Sequence, residues 1–187
     1  FLASGQNVRP TRLLEAGFRF VKPTIEDFFE GTDHAAVDRL DLHRYMGTWY
    51  EIARFDHRFE RGLSEVTATY TLMPDGTVRV ENRGCKHKKP YDVCKTAEGR
   101  AKIPDPSQPG KLKVSFFLSF YSDYYVLELD QDEYNYALIG SSSDKYLWIL
   151  SREPILPEEI KKKLLDAATR RGYDAVSYTH LRAHETA

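Results

Sequence analysis

The chain has 187 residues, enough for one ordinary domain with a short extension but too few for two full domains. Hydrophobic residues make up 41% and aromatic residues 13% of it, a composition that favours strands. The net charge of -1 argues against nucleic acid or an anionic membrane as the main partner. No apolar run approaches the ~20 residues that a membrane-spanning helix needs.

The first 37 residues differ from the rest of the chain. Residues 7–14 are basic and irregular, and residues 24–29 predict a short capped helix with acids in its first turn. A polar stretch at 31–34 follows, which places a domain boundary near residue 37. The chain starts at Phe1 with no signal segment and no lipid-attachment cysteine, so we expect a fragment or a mature piece.

Eight runs between residues 47 and 151 predict strands joined by short connections, with no helix between them. Turn signals separate the runs, the clearest being Pro74-Asp75-Gly76. Short connections require antiparallel neighbours, and eight strands can close into a barrel that holds one small ligand. The predicted fold class is therefore all-β, an eight-stranded antiparallel up-and-down β-barrel. The runs are 47–55, 66–72, 77–82, 96–103, 112–117, 123–129, 134–139 and 146–151.

One amphipathic helix is predicted after the strands, over residues 157–171. Pro157 suits a first helical position, the acids after it match the positive end of the helix dipole, and Gly172 ends the helix. The apolar stripe of this helix must lie against the outside of the barrel, the remaining large apolar surface.

Two motifs at the ends of the strand region resemble the signatures of the lipocalin family. The first strand contains Gly47-Thr48-Trp49, which resembles the family's Gly-x-Trp motif, and the last strand leads into Arg152, as in the family. The family's middle motif is matched only at Asp130. The resemblance implies that Trp49 closes the bottom of the barrel, with Arg152 stacked on its indole and Gly47 in the same structural floor. Such a stacked pair is worth ~0.5–2 kcal/mol.

The resemblance covers roughly residues 38–176. Within it, residues 45–61 and 113–117 are closer still to bacterial lipocalins of the outer-membrane lipoprotein group. Lipocalins are binding proteins, so the resemblance implies storage or transport of a small hydrophobic ligand rather than catalysis. It also implies the cell envelope, with membrane association through an anchor outside this sequence.

Strand periodicity of two sorts the remaining side chains into lumen and exterior. In the second and fifth strands the Thr and Lys residues take the outward positions, so their neighbours face the lumen. The sixth strand is ambiguous, and there we favour Tyr124, Val126 and Glu128 as the inward residues. An apolar lumen with a few polar atoms suits a fatty acid or a lysophospholipid. The alternative is a solid barrel that these aromatics fill. The predicted lumen residues are Glu51, Ala53, Ala68, Tyr70, Leu72, Val78, Val80, Asn82, Leu112, Val114, Phe116, Tyr124, Val126, Tyr146, Trp148 and Leu150.

The loop after the first strand, residues 55–62, is predicted to form a lid over the open end. His57, Arg58 and Arg61 make it basic, which suits a carboxylate or phosphate head group. A merely solvated charged loop is the equal alternative.

Two cysteines, Cys85 and Cys94, flank an eight-residue loop. A cross-hairpin disulfide and two free thiols are both open. No second Cys/His pair stands at a zinc spacing, and the sequence has no Gly-x-Ser-x-Gly, phosphate-binding loop or metal-spaced His pair. We therefore predict no enzymatic activity, no cofactor and no metal.

The two ends suggest a second hypothesis. Residues 4–29 resemble the C-terminal tail of epimerase-like short-chain dehydrogenase/reductase proteins, so the barrel could be the accessory part of a fused cytoplasmic oxidoreductase, its lumen self-filled. Residues 177–187 depart from the lipocalin pattern and look like a translated sequencing adapter. The predicted organisation is thus an extension (1–37), the barrel with its helix (38–176) and a non-native tail.

Overall fold

The computed structural model describes residues 31–55, 63–86, 91–117, 120–174 and 178–180. The predicted helix at 24–29 lies outside the described residues. Among the described residues the elements run in the order α1 (Leu42–Tyr45), β1 (Gly47–Phe55), β2 (Ser64–Leu72), β3 (Val78–Lys86), β4 (Val93–Lys102), β5 (Lys111–Phe117), β6 (Phe120–Leu129), β7 (Tyr136–Gly140), β8 (Leu147–Ser151), α2 (Glu158–Arg170) and β9 (Tyr178–His180).

The strands form one antiparallel sheet that closes on itself. Each strand from β2 to β7 pairs with its successor, β8 pairs with β1, and β1 also pairs with β2. Trp49 on β1 stands opposite Ala68 on β2, and Tyr50 lies between Thr67 and Ser151 of its two neighbours. The predicted eight-stranded barrel is confirmed. The short strand β9 lies inside the predicted tail. It pairs with the end of β1, at Ala53 to Phe55, whereas β2 pairs with the start of β1.

The hairpin of β3 and β4 is longer than the sequence suggests. Its ladder continues to the pair Lys86 and Val93, whereas the predicted strands stop at Asn82 and resume at residue 96. Charged residues and a glycine interrupt the apolar alternation there, so the period-two signal fades although the backbone still pairs. Cys85 and Cys94 stand opposite each other and are disulfide-bonded, which settles the open alternatives against free thiols.

Two β-bulges reset the inward phase of their strands. The ladder between β1 and β8 shifts between Glu51 and Ala53, so Ala53 is fully buried outside the lumen. The expectation that Ala53 faces the lumen is therefore wrong. On β6 the register shifts between Val126 and Glu128, and Glu128 bonds Arg171 on the exterior, which corrects the phase favoured for it. A bulge adds one residue to one strand, which period-two reasoning cannot anticipate.

Helix α2 lies against the outer face of the barrel, as predicted. Its buried side chains are Leu164, Ala167 and Ala168, which belong to an apolar cluster with outward residues of β7 and β8 such as Leu138 and Ile149. None of the helices in the described part of the chain is long and apolar enough to cross a membrane.

Short α1 positions the closed end of the barrel. The Asp41 carboxylate accepts hydrogen bonds from the backbone N–H groups of His43 and Arg44, which caps the helix. Its last residue, Tyr45, is 1% exposed and lies beneath the lumen. This helix is not predicted from the sequence, because four residues are too few for a helical period.

Candidate functional site: a cavity open at one end of the barrel

A cavity of about 1160 Å³ occupies the barrel interior. Its lining is mainly apolar, and it opens where β3 turns into β4 and β5 into β6, since lining residues there, such as Val93 and Phe120, are exposed. At the other end the lining residue Tyr45 and the floor residue Trp49 are buried. The lumen is thus not filled by its own side chains, and the alternative of a solid barrel is wrong.

Most of the predicted lumen residues come together in the cavity wall. Leu72 and Val126 do not line it; they pack in the apolar cluster around the floor, with the fully buried Val126 at its core. The third exception is Ala53, on the outside. Ligand contact by the lining residues stays a prediction. Those that line the cavity are Glu51, Ala68, Tyr70, Val78, Val80, Asn82, Leu112, Val114, Phe116, Tyr124, Tyr146, Trp148 and Leu150.

The structure adds lining residues at both ends of the cavity. At the floor they come from α1 and the residue after it, and at the mouth from the start of β2 with the residue before it and from the upper parts of β3, β4 and β6. The β4 set follows a period of two through Val93, Lys95 and Ala97. Ala97 is already in the predicted strand, and extending that strand toward the cysteine would have added Val93 and Lys95. The main additions are Leu42, Tyr45, Met46, Leu63, Val66, Lys86, Val93, Lys95, Ala97, Phe120 and Tyr121.

The closed end is built around Trp49 and Arg152. The guanidinium carbon of Arg152 lies 3.9 Å from the centre of the Trp49 ring, and its nitrogens donate to the carbonyls of Arg44, Met46, Thr48 and Tyr134. The Trp49 indole donates to the Tyr45 carbonyl at 2.9 Å. These contacts match the floor that the family resemblance implies.

Gly47 is needed where the chain enters this floor. Its φ of +93° is in the left-handed region, and a Cβ there would lie 3.3 Å from an Arg152 nitrogen. The family motif thus has a backbone and a packing reason.

Three tyrosine hydroxyls, here called the tyrosine triad, meet at the inner end of the cavity. The Tyr124 hydroxyl lies 2.6 Å from that of Tyr45 and 3.0 Å from that of Tyr70. Burial raises the pKa of Tyr45 and Tyr124 well above the usual value and raises the pKa of Tyr70 to about 12. The triad is therefore an uncharged polar site at neutral pH.

A buried ion pair stands in the wall of β1. The bulge turns Arg54 inward, and its guanidinium donates to the Glu51 carboxylate at 2.6 Å and to the Leu63 carbonyl at 3.3 Å. Both side chains are at most 7% exposed, so each charge depends on the other. The strand pattern predicts that Glu51 faces inward but does not predict it for Arg54, because the direction of Arg54 is set by the bulge.

The predicted lid residues His57, Arg58 and Arg61 lie outside the described residues. Among the residues that the structure describes, no group of three His, Cys, Asp or Glu side chains could hold a metal ion.

Three curated relatives match the chain over most of its length. The chain is 47% identical over 142 residues to the outer membrane lipoprotein Blc of Escherichia coli K12, covering 76% of this chain and 78% of that protein. It is 42% identical over 154 residues to temperature-induced lipocalin-1 of Arabidopsis thaliana, covering 78% and 80%. Apolipoprotein D of Mus musculus is 35% identical over 150 residues, covering 76% of each chain.

Solved structures share the fold at lower identity. Insecticyanin of the tobacco hornworm superposes with a TM-score of 0.66 at 22% identity, covering 83% of this chain and 87% of that one. H1 crustacyanin of the lobster Homarus americanus gives 0.60 at 20% identity, covering 82% and 90%. These likenesses show the architecture alone.

Two family models match separate parts of the chain. Residues 1–31 match a domain of unknown function, DUF1731, consistent with the epimerase-like tail inferred above. Residues 40–182 match the lipocalin-like domain. That family supports the binding or transport of small hydrophobic ligands. The barrel, its Gly-x-Trp floor and these relatives make the chain a member of the lipocalin family, similar to the bacterial outer membrane lipoproteins.

Proposed function

We propose that the barrel stores or transports a fatty acid or a lysophospholipid, with the acyl chain in the cavity and the head group at the mouth, and that it catalyses no reaction. The open apolar cavity carries this proposal. Its volume of about 1160 Å³ is slightly larger than the range of about 300–1,000 Å³ that is usual for small-molecule sites. Each buried methylene contributes ~0.8 kcal/mol, so a long chain offers on the order of 10 kcal/mol before binding entropy is subtracted. A micromolar dissociation constant needs a net gain of about 8 kcal/mol, which lies within that gross figure.

The direct test is native mass spectrometry of the purified protein after exposure to mixed lipids, together with displacement of a fluorescent fatty acid. We expect a bound amphiphile of one acyl chain and full displacement by an unlabelled fatty acid. Finding no bound amphiphile and no displacement would defeat the proposal.

A pair of variants on β4 locates the ligand. Ala97 lines the cavity, whereas the next residue, Glu98, does not. Ala97→Trp should occupy part of the lumen and weaken fatty acid binding at least tenfold, and Glu98→Trp should leave it within twofold. Because both positions are exposed, neither change disturbs a packed core. Equal effects would place the ligand outside the lumen.

We place the protein in the cell envelope. The similar bacterial relatives are named outer membrane lipoproteins, and the disulfide between Cys85 and Cys94 belongs in an oxidising compartment. Fractionation of cells that express the full gene, with thiol alkylation before lysis, tests this. Recovery of the barrel in the cytoplasm with both thiols alkylated would contradict it.

The second candidate is an accessory barrel of a fused epimerase-like oxidoreductase. The DUF1731 match over residues 1–31 favours it. The open cavity is against the self-filled form of this idea, so the fused barrel would itself bind ligand. Sequencing the gene upstream of Phe1 decides: a Gly-rich dinucleotide fingerprint supports the fusion, and a lipobox supports the secreted form.

A further inference from the structure

The tyrosine triad holds one hydroxyl proton more than its own hydrogen bonds can use. Three hydroxyls carry three protons, and the two bonds between them, Tyr45 to Tyr124 and Tyr70 to Tyr124, use two. Whichever way these bonds are oriented, one O–H donor is left over. Among the described residues no other acceptor is bonded to any of the three oxygens.

This surplus donor is buried and faces the cavity. Tyr45 is 1% and Tyr70 is 7% exposed, and all three rings line the inner end of the lumen. A buried donor without an acceptor is costly, so whatever occupies the inner end is favoured if it supplies an oxygen.

The charges around the triad determine which kind of oxygen fits. Glu51 lines the same cavity and raises the pKa of Tyr70, and the Arg54 guanidinium is already paired with it, so a second carboxylate would be buried at the triad without a counter-ion. Arg152 is near the triad, but its guanidinium is committed to the backbone carbonyls of the floor. A neutral oxygen, such as a hydroxyl, a ketone or an aldehyde, meets neither objection.

From this geometry we infer that the triad is a ligand subsite, and that it selects amphiphiles with a neutral oxygen at the end of the chain remote from the head group. The inference rests on the proposed binding of an acyl chain in the lumen. It adds that the ligand class is an oxidised chain, with a hydroxyl or carbonyl group at its inner end.

The test compares palmitic acid with its ω-hydroxy derivative by displacement of a fluorescent fatty acid. In a purely apolar pocket the added hydroxyl would lose its water without a partner and bind about 10- to 100-fold more weakly. We expect the wild-type protein to bind the ω-hydroxy acid at least as tightly as palmitic acid. Wild-type discrimination of tenfold or more against the hydroxy acid overturns the inference.

The triple variant Tyr45→Phe, Tyr70→Phe, Tyr124→Phe removes the hydroxyls and keeps the ring shapes. Replacing all partners of a buried hydrogen bond by apolar groups is nearly neutral for stability. The triple variant should bind the ω-hydroxy acid at least tenfold more weakly than palmitic acid, so the ratio of its two dissociation constants should differ from that of wild type. Tyr125→Phe, which removes a hydroxyl on the outer side of the barrel next to Tyr124, is the matched control and should discriminate as wild type does.

The remaining outcomes are also decisive. If wild type and the triple variant show the same ratio, ordered water satisfies the triad and the subsite does not exist. If the triple variant does not fold, Tyr124→Phe replaces it: this change leaves two unpaired hydroxyls, so the hydroxy acid should be favoured at least as strongly as in wild type. Loss of that preference would count against the inference. If neither acid binds the wild-type protein, the proposed function itself is overturned. That result differs from an unchanged ratio of the two dissociation constants, which would overturn the subsite alone.

Discussion

Removal of the floor tryptophan tests how the barrel is closed. Trp49 is fully buried, donates to the Tyr45 carbonyl and carries the Arg152 guanidinium on its face. Truncating a buried Trp to Ala costs roughly 3–5 kcal/mol through lost burial and the cavity left behind. The lost hydrogen bond and the lost cation–π contact, each about 1 kcal/mol, favour the upper end of that range.

The protein supplies its own control, because it has two tryptophans. Trp148 is half-buried on the cavity wall, so its truncation enlarges a space that already reaches solvent and should cost less than half as much. Urea unfolding followed by circular dichroism gives both free energies, and thermal unfolding should fall by roughly 6–20 °C for Trp49→Ala in a domain of this size. An unchanged melting temperature for Trp49→Ala, or equal losses in the two variants, would refute the assigned floor.

Three further perturbations address the entry to the floor, the mouth and the triad. Gly47→Ala should destabilise by about 1–3 kcal/mol more than Gly76→Ala in urea unfolding, because both have positive φ but only the first Cβ meets a neighbour; equal losses would show that backbone strain alone matters. Reduction of the Cys85–Cys94 bond, which spans nine positions, should cost up to about 2.5 kcal/mol in the chain-entropy estimate, and unchanged denaturant midpoints with dithiothreitol would contradict a structural role. Stability should fall as the pH rises above 10, since folding raises the pKa of Tyr70 from 10.0 to about 12 and raises those of Tyr45 and Tyr124 well above 10; a triple Tyr→Phe variant of the triad that loses stability as steeply would assign the alkaline transition elsewhere.

The sequence predicted the architecture because the barrel repeats one strong signal. Alternation and turn residues placed all eight strands, and helix α2 was placed within a residue of its bounds at each end. The resemblance of the motifs around Trp49 and Arg152 to the lipocalin signatures then implied which end is closed. Alternation, turn residues and helix ends are local signals, so neighbouring residues are sufficient to read them.

Single insertions in the ladder and contacts between distant segments were not predictable in the same way. Because of the bulge after Glu51, Arg54 faces inward and Ala53 does not. No neighbouring residue in the sequence indicates that a bulge is present. Tyr45 reached the cavity through a helix of one turn whose capping residue, Asp41, looks like any acidic residue in a loop. Both errors concern polar groups of the site, so the fold was more predictable than the chemistry of the lumen.

Residues at the closed end of the barrel are held by many contacts, whereas residues at the mouth are exposed. This difference determines at which end a substitution can change ligand preference without a loss of stability. At the closed end a single side chain, Arg152, bonds four backbone carbonyls and covers Trp49, so a substitution there disturbs the whole floor. At the mouth Phe120 is 77% exposed and Ala97 is also exposed, so substitutions there cost little stability. The triad lies between these extremes, because its rings are packed in the core, whereas we expect Tyr→Phe changes to leave that packing intact. Head-group preference should therefore vary freely among related barrels, whereas preference for the inner end of the chain should change only when the three hydroxyls change together.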